Sequence, residues 1–378
     1  MQRFDAIVVG AGPAGSSTAY RLARAGARVL MLDRARFPRD KPCGGGLTAR
    51  ALRELPIDPA PVVEDSVDRF ELRLAYRSRI ERRSPFPLVL MTQRRRLDAY
   101  LAEQAAEAGA EFRQGVRVTE IDPAGIVSAD GERVEADVIV GADGVNGVSA
   151  RTLGLADGRR YGVAYEGNAS YEAIPRARFR GRAVLELGAV AGGYGWVFPK
   201  GDHVNVGVGG WEQEGPRLRE ELRRLCDLHR VDERELVDLR GYRLPMRRPG
   251  DRVVEGRALL VGDAAGLVDP LSGDGIYEAA LSARLAAGTT LELLAGRAGD
   301  LEPYQRDLDT ALNRLEASAW KAKLALDRFP RFTFAVIRLP IVWRFFEGFV
   351  RGDVKSPGDA RGLVRAPLRL VEALGKPA

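Results

Sequence analysis

Apolar residues near the start of the chain fall into two short runs separated by a glycine-rich turn and a helical stretch. The first run, Ala6–Val9, ends at Gly10, and the second, Arg28–Leu32, ends at Asp33. Between them, Ser16–Ala25 has the composition of a helix. Short uninterrupted apolar runs are typical of strands buried on both faces of a parallel sheet. This order predicts a strand, a turn, a helix and a second, parallel strand.

The turn carries glycines at the spacing of a dinucleotide-binding loop. Gly10 allows the tight turn, Gly12 lets the backbone approach a pyrophosphate, and Gly15 lets the helix pack closely on the strand. The free N–H groups at the start of the helix would face the phosphates. Asp33 follows Gly15 by 18 residues, close to where a ribose-binding acid belongs. The complete unit favours a dinucleotide site over a strand, turn and helix without a ligand.

Two later apolar runs also end on an acidic loop. Ala136–Val140 leads to Asp143, and Arg257–Val261 leads to Asp263. Taken alone, each acid is as compatible with an ordinary turn or helix-capping role as with a role in cofactor binding. Together with the first unit, however, the three segments resemble the flavin-binding pattern of the family that includes p-hydroxybenzoate hydroxylase. That resemblance implies non-covalently bound FAD, with the second acid supporting the pyrophosphate region and the third approaching the ribityl chain and pyrophosphate.

The rest of the chain alternates between strand and helix patterns. Val67–Ile80 alternates apolar and charged residues as a half-exposed strand does. Arg96–Ala108 has a helical pattern, Glu111–Val140 contains short strands, and Tyr161–Trp211 is strand-rich and aromatic. Helix dominates from Gly275 onward. We therefore predict an α/β fold, with a Rossmann-like FAD-binding domain, an antiparallel-sheet substrate domain over the cofactor and a helical C-terminal region.

These patterns also predict discontinuous domains. The FAD-binding domain is expected to combine residues 1–65, 90–158 and 252–298. The substrate and catalytic sheet domain is expected to combine 66–89 with 159–251, and the helical region to cover 299–378. Within that last region, Lys355–Ala378 is expected to be only partly ordered.

Composition narrows the range of functions. The chain has 378 residues, 45% of them hydrophobic and 29% charged, as in an ordinary globular protein. With only Cys43, Cys226 and two histidines, we expect neither a disulfide scaffold nor a metal site. The net charge of +6 is compatible with anionic lipid, an acidic electron donor or simple solvation. Aromatic residues are not interleaved with basic ones as in nucleic-acid modules, so no nucleic-acid partner is expected. Because the sequence begins at a strand without a signal peptide, a cytoplasmic location is expected.

Several glycine-rich and aromatic motifs narrow the choice of protein family. They are Lys41–Gly46 (KPCGGG), Tyr194–Lys200 (YGWVFPK), Val204–Gly209, Gly262–Gly266 and Pro270–Ile276. Together they closely resemble the geranylgeranyl reductase family of flavoproteins, over most of the chain. The sequence departs from the family pattern at two positions, with Ala191 where proline is frequent and Asp274 in place of the usual glutamate.

The resemblance implies which residues bind the cofactor. They are Gly10, Gly12, Pro13, Ala14, Gly15, Asp33, Arg34, Cys43, Gly44, Gly45, Arg94, Val118, Asp143, Gly144, Asp263, Gly273, Gly275 and Ile276. It also implies an external electron donor, either NAD(P)H or reduced ferredoxin. Because no second strand–GxGxxG–helix unit is present, a permanent nicotinamide domain is not expected.

The activity implied by this resemblance is saturation of isolated C=C bonds in a long prenyl chain on a lipid, alcohol or quinone. The flavin would supply a hydride from N5, and the site would supply a proton. Cys43, Tyr194 and Trp196 are the candidate catalytic residues. Cys43 is the first choice of proton donor, against the alternatives that ordered water replaces it or that it is a small buried hydrophobe. Lys200 is expected to be a surface residue or a head-group anchor.

Spacing alone leaves two interpretations of the aromatic strand. Tyr194, Trp196 and Phe198 share one face at period two. They either form an apolar wall that binds the prenyl chain or belong to the core of the substrate domain. The resemblance favours the wall, and hence a substrate-binding role for all three residues.

Other functions and partners remain open at this stage. A flavin monooxygenase or halogenase would share the GxGxxG unit, although the KPCGGG loop argues against both. A flavin-binding protein without turnover has no positive support. Phe334–Val350 is too short and too charged to span a bilayer. It is compatible either with peripheral membrane contact through Trp343, Phe345, Phe346 and Phe349 or with ordinary packing.

Overall fold

Two large β-sheets and a set of C-terminal helices make up the chain. The computed structural model describes residues 2–155, 158–354 and 360–376. The strands in these ranges are β1 (Arg3–Val9), β2 (Val29–Asp33), β3 (Gly46–Thr48), β4 (Asp65–Val67), β5 (Arg69–Leu74), β6 (Ser78–Arg83), β7 (Val89–Met91), β8 (Glu111–Gln114), β9 (Val118–Asp122), β10 (Ile126–Ala129), β11 (Glu132–Gly141), β12 (Arg160–Ser170), β13 (Arg182–Leu187), β14 (Tyr194–Pro199), β15 (His203–Trp211), β16 (Val237–Met246), β17 (Val254–Glu255) and β18 (Ala258–Leu260). The α-helices are α1 (Pro13–Arg24), α2 (Ala49–Glu54), α3 (Arg94–Glu107), α4 (Ser149–Thr152), α5 (Leu218–His229), α6 (Ile276–Leu294), α7 (Glu302–Arg328), α8 (Pro330–Ile337), α9 (Pro340–Arg351) and α10 (Arg365–Leu374).

The first sheet contains the three apolar runs that end on glycine loops. Its order is β17-β18-β11-β1-β2-β8, and β1 pairs in parallel with both β2 and β11. β18 pairs in parallel with β11. Side chains of α1 and α6 share the core of this sheet, which explains why β2 is buried along its whole length. As a result, the loops after β1, β11 and β18 emerge side by side at one edge.

The second sheet has the order β16-β12-β15-β14-β13-β5-β6. Its pairings are antiparallel except for the parallel pair of β5 and β13. Helix α5 covers one face, where Leu222 and Leu225 pack with Val197 and Val206. Because side chains alternate along a strand, the residues of β14 on either side of Val197 point to the opposite face.

The segment Val67–Ile80 differs from its predicted single strand. It forms a hairpin of β5 and β6 that turns at Ala75 and Tyr76, which have φ values of 48° and 61°. The turn contains none of the Gly, Asn, Asp or Pro residues that usually mark one. It is held by tertiary contacts instead, since the Tyr76 N–H donates to Glu186 Oε1 at 2.7 Å.

The C-terminal region is helical. Within the segment expected to be only partly ordered, residues 360–376 include α10, while 355–359 and 377–378 lie outside the described residues. Among the described residues, no helix has the length and apolarity needed to cross a bilayer.

Four aromatic residues that offered a membrane contact pack against the protein instead. Trp343 is 7% exposed, and its ring centroid lies 5.7 Å from that of Phe70. Phe345, Phe346 and Phe349 are half-buried against neighbouring helices and strands. These side chains belong to the core that joins α9 to the rest of the molecule.

Candidate active site

A cavity of about 670 Å³ lies between the two sheets. One end is lined by the glycine loops that follow the first-sheet strands, and the other by the cavity-facing side of β14. The charged lining residues lie mostly on the loops, whereas β14 contributes aromatic rings. The cavity therefore has a polar end and an apolar wall.

The three glycines of the first loop serve different purposes. Gly10 has a φ of 102°, and a Cβ there would lie 2.4 Å from the carbonyl oxygen of Ala142. A Cβ on Gly15 would lie 1.8 Å from the carbonyl oxygen of Gly10, so the helix could not pack on the strand. A Cβ on Gly12 would meet no protein atom closer than 3.6 Å. Gly10 and Gly15 are thus required by the fold, while Gly12 faces the cavity.

The start of α1 is arranged to hold an anion. No side chain caps this helix, so its first N–H groups are left for a ligand. The guanidinium groups of Arg39 and Arg94 lie nearby, each held by Asp98 at 2.9 and 2.7 Å respectively. Burial opposes the charge on Arg94, but the Asp98 carboxylate outweighs it and the pKa of Arg94 is raised. Two fixed cations and a helix N-terminus therefore converge near Gly12.

Asp33 shapes the neighbouring loop. Its two carboxylate oxygens accept the N–H groups of Ala11 and Ala35, each at 2.8 Å. The side chain also lines the cavity, and each carboxylate oxygen can accept a further hydrogen bond. This position fits a ribose-binding acid.

The other two acids at the strand ends differ in their contacts. Asp143 caps the loop before α4, since its Oδ2 accepts the N–H of Val148 at 2.7 Å, while its buried Oδ1 has no partner among the described residues. Asp263 forms a 2.7 Å ion pair with Lys41. Burial raises the pKa of Asp143, whereas at Asp263 the Lys41 ammonium outweighs burial and the pKa is lowered. The ion pair of Asp263 with Lys41 thereby links the loop after β18 to the KPCGGG loop.

The KPCGGG loop lies against both the cavity and the second sheet. The Cys43 N–H donates to Glu166 Oε1 at 2.7 Å, and the Gly45 N–H donates to Cys43 Sγ at 3.3 Å. A Cβ on Gly44 would lie 2.8 Å from the ring of Phe198. The thiol is half-buried and lines the cavity, so the loop presents it beside the aromatic wall.

Lys200 is buried, which corrects the expectation that it lies on the surface. It is 2% exposed, and its ammonium donates to the carbonyl oxygens of Gly44 at 2.5 Å and Thr92 at 2.7 Å. Burial lowers the pKa of this amine. The sequence places Lys200 at the end of a strand, and it does not show that the KPCGGG loop folds over this residue.

Tyr194, Trp196 and Phe198 form one wall of the cavity. Their neighbouring ring centroids are 6.0 and 6.4 Å apart. Trp196 Nε1 donates to Asn205 Oδ1 at 2.7 Å, which fixes the indole, and the Tyr194 hydroxyl donates to the Ser272 carbonyl. The wall therefore runs from the KPCGGG loop at Phe198 to the late glycine loop at Tyr194.

The late glycine loop ends at the start of a second helix that faces the cavity. Asp274 Oδ1 accepts the Ile276 N–H at 2.9 Å and so caps α6. Burial raises the pKa of Asp274. Gly273, with a φ of 68°, and Gly275 line the cavity here. The positive end of the α6 dipole is directed at the same space as the aromatic wall.

Sequence reasoning placed most of these residues at one site. Every predicted cofactor or substrate residue lines the cavity except Gly15 and Val118. Val118 is corrected to a core position, because its side chain is 8% exposed in β9 and packs in the first-sheet core. The prediction missed several lining residues, namely Arg39, Lys41, Glu166, Tyr242 and Lys323. Glu166 could have been found from the sequence, because a carboxylate within an otherwise apolar strand pattern indicates a functional position.

Comparison with known proteins identifies the family. A profile described as "FAD binding domain" matches residues 3–319. The chain is 37% identical to a menaquinone reductase of Mycolicibacterium smegmatis, with 96% of this chain and 95% of the relative covered. It is 31% identical to the chloroplastic geranylgeranyl diphosphate reductase of Oryza sativa, covering 86% and 74%. The chain belongs to the geranylgeranyl reductase family of FAD-dependent oxidoreductases.

Solved structures show that this family shares its fold with other flavoproteins. A geranylgeranyl bacteriochlorophyll reductase-like protein from Thermoplasma acidophilum superimposes with a TM-score of 0.77 at 22% identity, covering 99% of this chain and 96% of that one. A flavin-dependent brominase gives a TM-score of 0.77 at 19% identity, covering 98% of each. The fold is thus that of an FAD-binding flavoprotein, and it does not separate reductases from halogenases.

The site residues fit the FAD that the family requires. The uncapped α1, Arg39 and Arg94 would hold its pyrophosphate, and Asp33 its ribose. The unpartnered Asp143 Oδ1, which is buried, would accept a hydrogen bond from the bound cofactor.

Proposed function

We propose that this enzyme saturates isolated C=C bonds in a long isoprenoid chain. The observation that carries the proposal is the aromatic wall of Tyr194, Trp196 and Phe198, which begins at the loop of Cys43 and ends at the start of α6. An isoprenoid chain has no polar handle along its length, so it must be bound by burial against such a wall.

Substrate names of the relatives agree with this chemistry. Menaquinone and geranylgeranyl diphosphate share a long unsaturated isoprenoid chain but differ completely in their head groups. Burial contributes about 0.8 kcal/mol per CH₂ group, so an apolar wall can hold the shared part strongly. We propose a quinone side chain first, because the menaquinone reductase match is the more similar of the two and covers nearly all of both chains.

The reaction adds two hydrogens across an alkene that no carbonyl polarises. Reduced FAD held at this site would supply two electrons and one hydrogen. The protein must orient the chain and supply the second hydrogen as a proton. Cys43 lies at the junction of the cavity and the aromatic wall, and we assign it the proton donation.

An oxygen-free experiment tests the proposed reaction. The FAD-loaded protein is reduced anaerobically and mixed with menaquinone carrying an unsaturated side chain, or with geranylgeranyl diphosphate. We expect the flavin to reoxidise and mass spectrometry to show a gain of two hydrogens in the isoprenoid chain. Parallel reductions by NADPH and by reduced ferredoxin compare the donors. Flavin that reoxidises only when oxygen is admitted would contradict the proposal and favour the monooxygenase or halogenase alternative.

Trp196→Ala should impair prenyl turnover while leaving the cofactor bound. Trp196 lies on β14 in the second sheet, whereas the first glycine loop belongs to the first sheet, so we expect FAD to remain bound. We expect kcat/KM to fall at least about tenfold, as expected when a buried aromatic contact of about 1.5 kcal/mol or more is lost. Single-turnover reoxidation and the pattern of reduced bonds measure the effect. Trp320→Ala, outside the cavity lining, is the matched control. An equal loss in both variants would contradict a substrate-binding wall.

We also propose that the C-terminal helices touch an anionic membrane. Residues 328–378 contain ten lysines and arginines against four acids, so they hold all of the chain's net charge of +6. Large hydrophobic side chains are exposed on the same segment, at Phe329, Phe332, Leu339, Leu363 and Leu370. Exposed apolar residues among arginines suit the surface of an anionic bilayer. We therefore assign the membrane contact to these exposed residues, and not to the buried aromatic group around Trp343 that the sequence suggested.

Vesicle binding tests this contact without any prenyl substrate. We expect the protein to sediment with phosphatidylglycerol vesicles, to ignore phosphatidylcholine vesicles and to be released by salt. Because each basic residue near a membrane contributes about 1 kcal/mol, Arg331→Ala with Arg338→Ala should weaken binding by roughly 30-fold. Arg133→Ala, exposed on the first sheet, is the control. Equal binding to both vesicle types would contradict the proposal.

A further inference from the structure

A small polar pocket lies behind the KPCGGG loop, next to the main cavity. Its volume is about 30 Å³, enough for a water molecule, which needs about 10–15 Å³. The pocket is lined almost entirely by polar side chains, and it reaches the exposed residues Asp238 and Arg240 on β16. Cys43 and Glu166 line both this pocket and the main cavity. Together with Asp40, Lys41, Pro42 and Arg94, they form the boundary between the two spaces.

In the described part of the chain, Glu166 forms no ion pair with an arginine or lysine. It is 7% exposed, and its Oε1 accepts the Cys43 N–H at 2.7 Å. Burial raises the pKa of Glu166, and the nearby Lys200 ammonium opposes the rise only in part. A carboxyl group that holds its proton to higher pH than usual is suited to proton transfer.

We infer that Glu166 passes protons from solvent, through water in the polar pocket, to Cys43. The inference rests on the proposed function, in which each alkene reduction takes one proton from the site. The S–H bond of Cys43 breaks as a C–H bond forms, and the electron pair stays on sulfur. The Glu166 carboxyl then gives its proton through water to the thiolate. The resulting carboxylate regains a proton from solvent, so the cycle is balanced.

Several other charged groups surround this pair and set its electrostatic background. They come from the loop, α3, the turn between β14 and β15, β15 and β16, and comprise Asp40, Lys41, Arg94, Lys200, His203, Asp238 and Arg240. Because a substitution at Glu166 leaves all of them in place, a change in the titration of Cys43 reports the pair itself.

Cys43 alkylation measures the coupling without any catalytic turnover. In a Cys226→Ala background, the rate at which iodoacetamide alkylates Cys43 in the oxidised holoprotein is followed against pH. Glu166→Gln keeps an oxygen that can accept the Cys43 N–H but removes the negative charge. A carboxylate beside a thiol disfavours the thiolate. We therefore expect Cys43 in Glu166→Gln to be alkylated roughly tenfold faster than in the parent wherever the parent Glu166 is ionised.

Glu186→Gln is the matched control, since Glu186 is a buried glutamate of the same sheet that does not line the cavity. Superimposed alkylation profiles for the parent and Glu166→Gln would overturn the inference. Glu166→Gln should also slow prenyl-driven flavin reoxidation and change its pH profile, and an unchanged profile would overturn the relay. A parent protein that fails to reduce prenyl chains would instead count against the proposed function.

Discussion

Gly12→Ala should yield a folded protein that purifies without yellow colour. A Cβ at Gly12 would meet no protein atom closer than 3.6 Å, and the φ of −75° suits alanine, so the fold should tolerate the change. The methyl group would instead occupy the space beside the first N–H groups of α1, where the FAD pyrophosphate must approach. We expect FAD content and activity to fall together to near zero.

Flavin absorbance of the purified protein measures the loss of FAD, and the thermal unfolding midpoint measures whether the fold is retained. Gly288→Ala is the control, because Gly288 lies within α6 and a Cβ there would have no neighbouring atom within 4 Å. It should keep its colour. Full FAD occupancy in Gly12→Ala would show that the pyrophosphate does not lie at this turn. Release of NAD rather than FAD from the denatured parent would refute the cofactor assignment.

Cys43→Ala should retain FAD and lose most of its prenyl reduction. The thiol lines the cavity beside the aromatic wall, and a positioned proton donor typically contributes about 10²–10⁴-fold in rate. We expect a loss of that size in the rate of flavin reoxidation by the prenyl substrate. Anaerobic stopped-flow absorbance measures that rate separately from reduction by the donor.

Cys226 provides the matched control for this substitution. It lies on α5 and is fully buried against the second sheet, where burial raises its pKa to about 12, and it does not line the cavity. Cys226→Ala should therefore reduce prenyl chains at the parent rate. A Cys43→Ala variant as fast as the parent would assign protonation to water and leave the thiol a packing role.

The local pattern of the cofactor site could be read directly from the sequence. Short apolar runs that end on glycines and acids predict parallel strands whose loops meet at one edge, because parallel pairing aligns their carboxyl ends. Gly10, Gly12 and Gly15 could each be assigned a separate role for the same reason, since their spacing places them at the turn, at the ligand and under the helix. The period-two alternation likewise placed Tyr194 and Trp196 on one face.

Which way that aromatic face points was decided only by the tertiary structure. Periodicity is identical for a core face and a cavity face, and α5 takes the side of Val197. The burial of Lys200 and Glu166 was likewise decided by tertiary structure. The KPCGGG loop that covers them lies more than a hundred residues away in sequence. The hairpin at Tyr76 is held by Glu186 and not by turn residues. The sequence by itself thus determined the strand ends and their glycines, whose requirements are local, while burial, pairing and the proton path depend on contacts between distant segments.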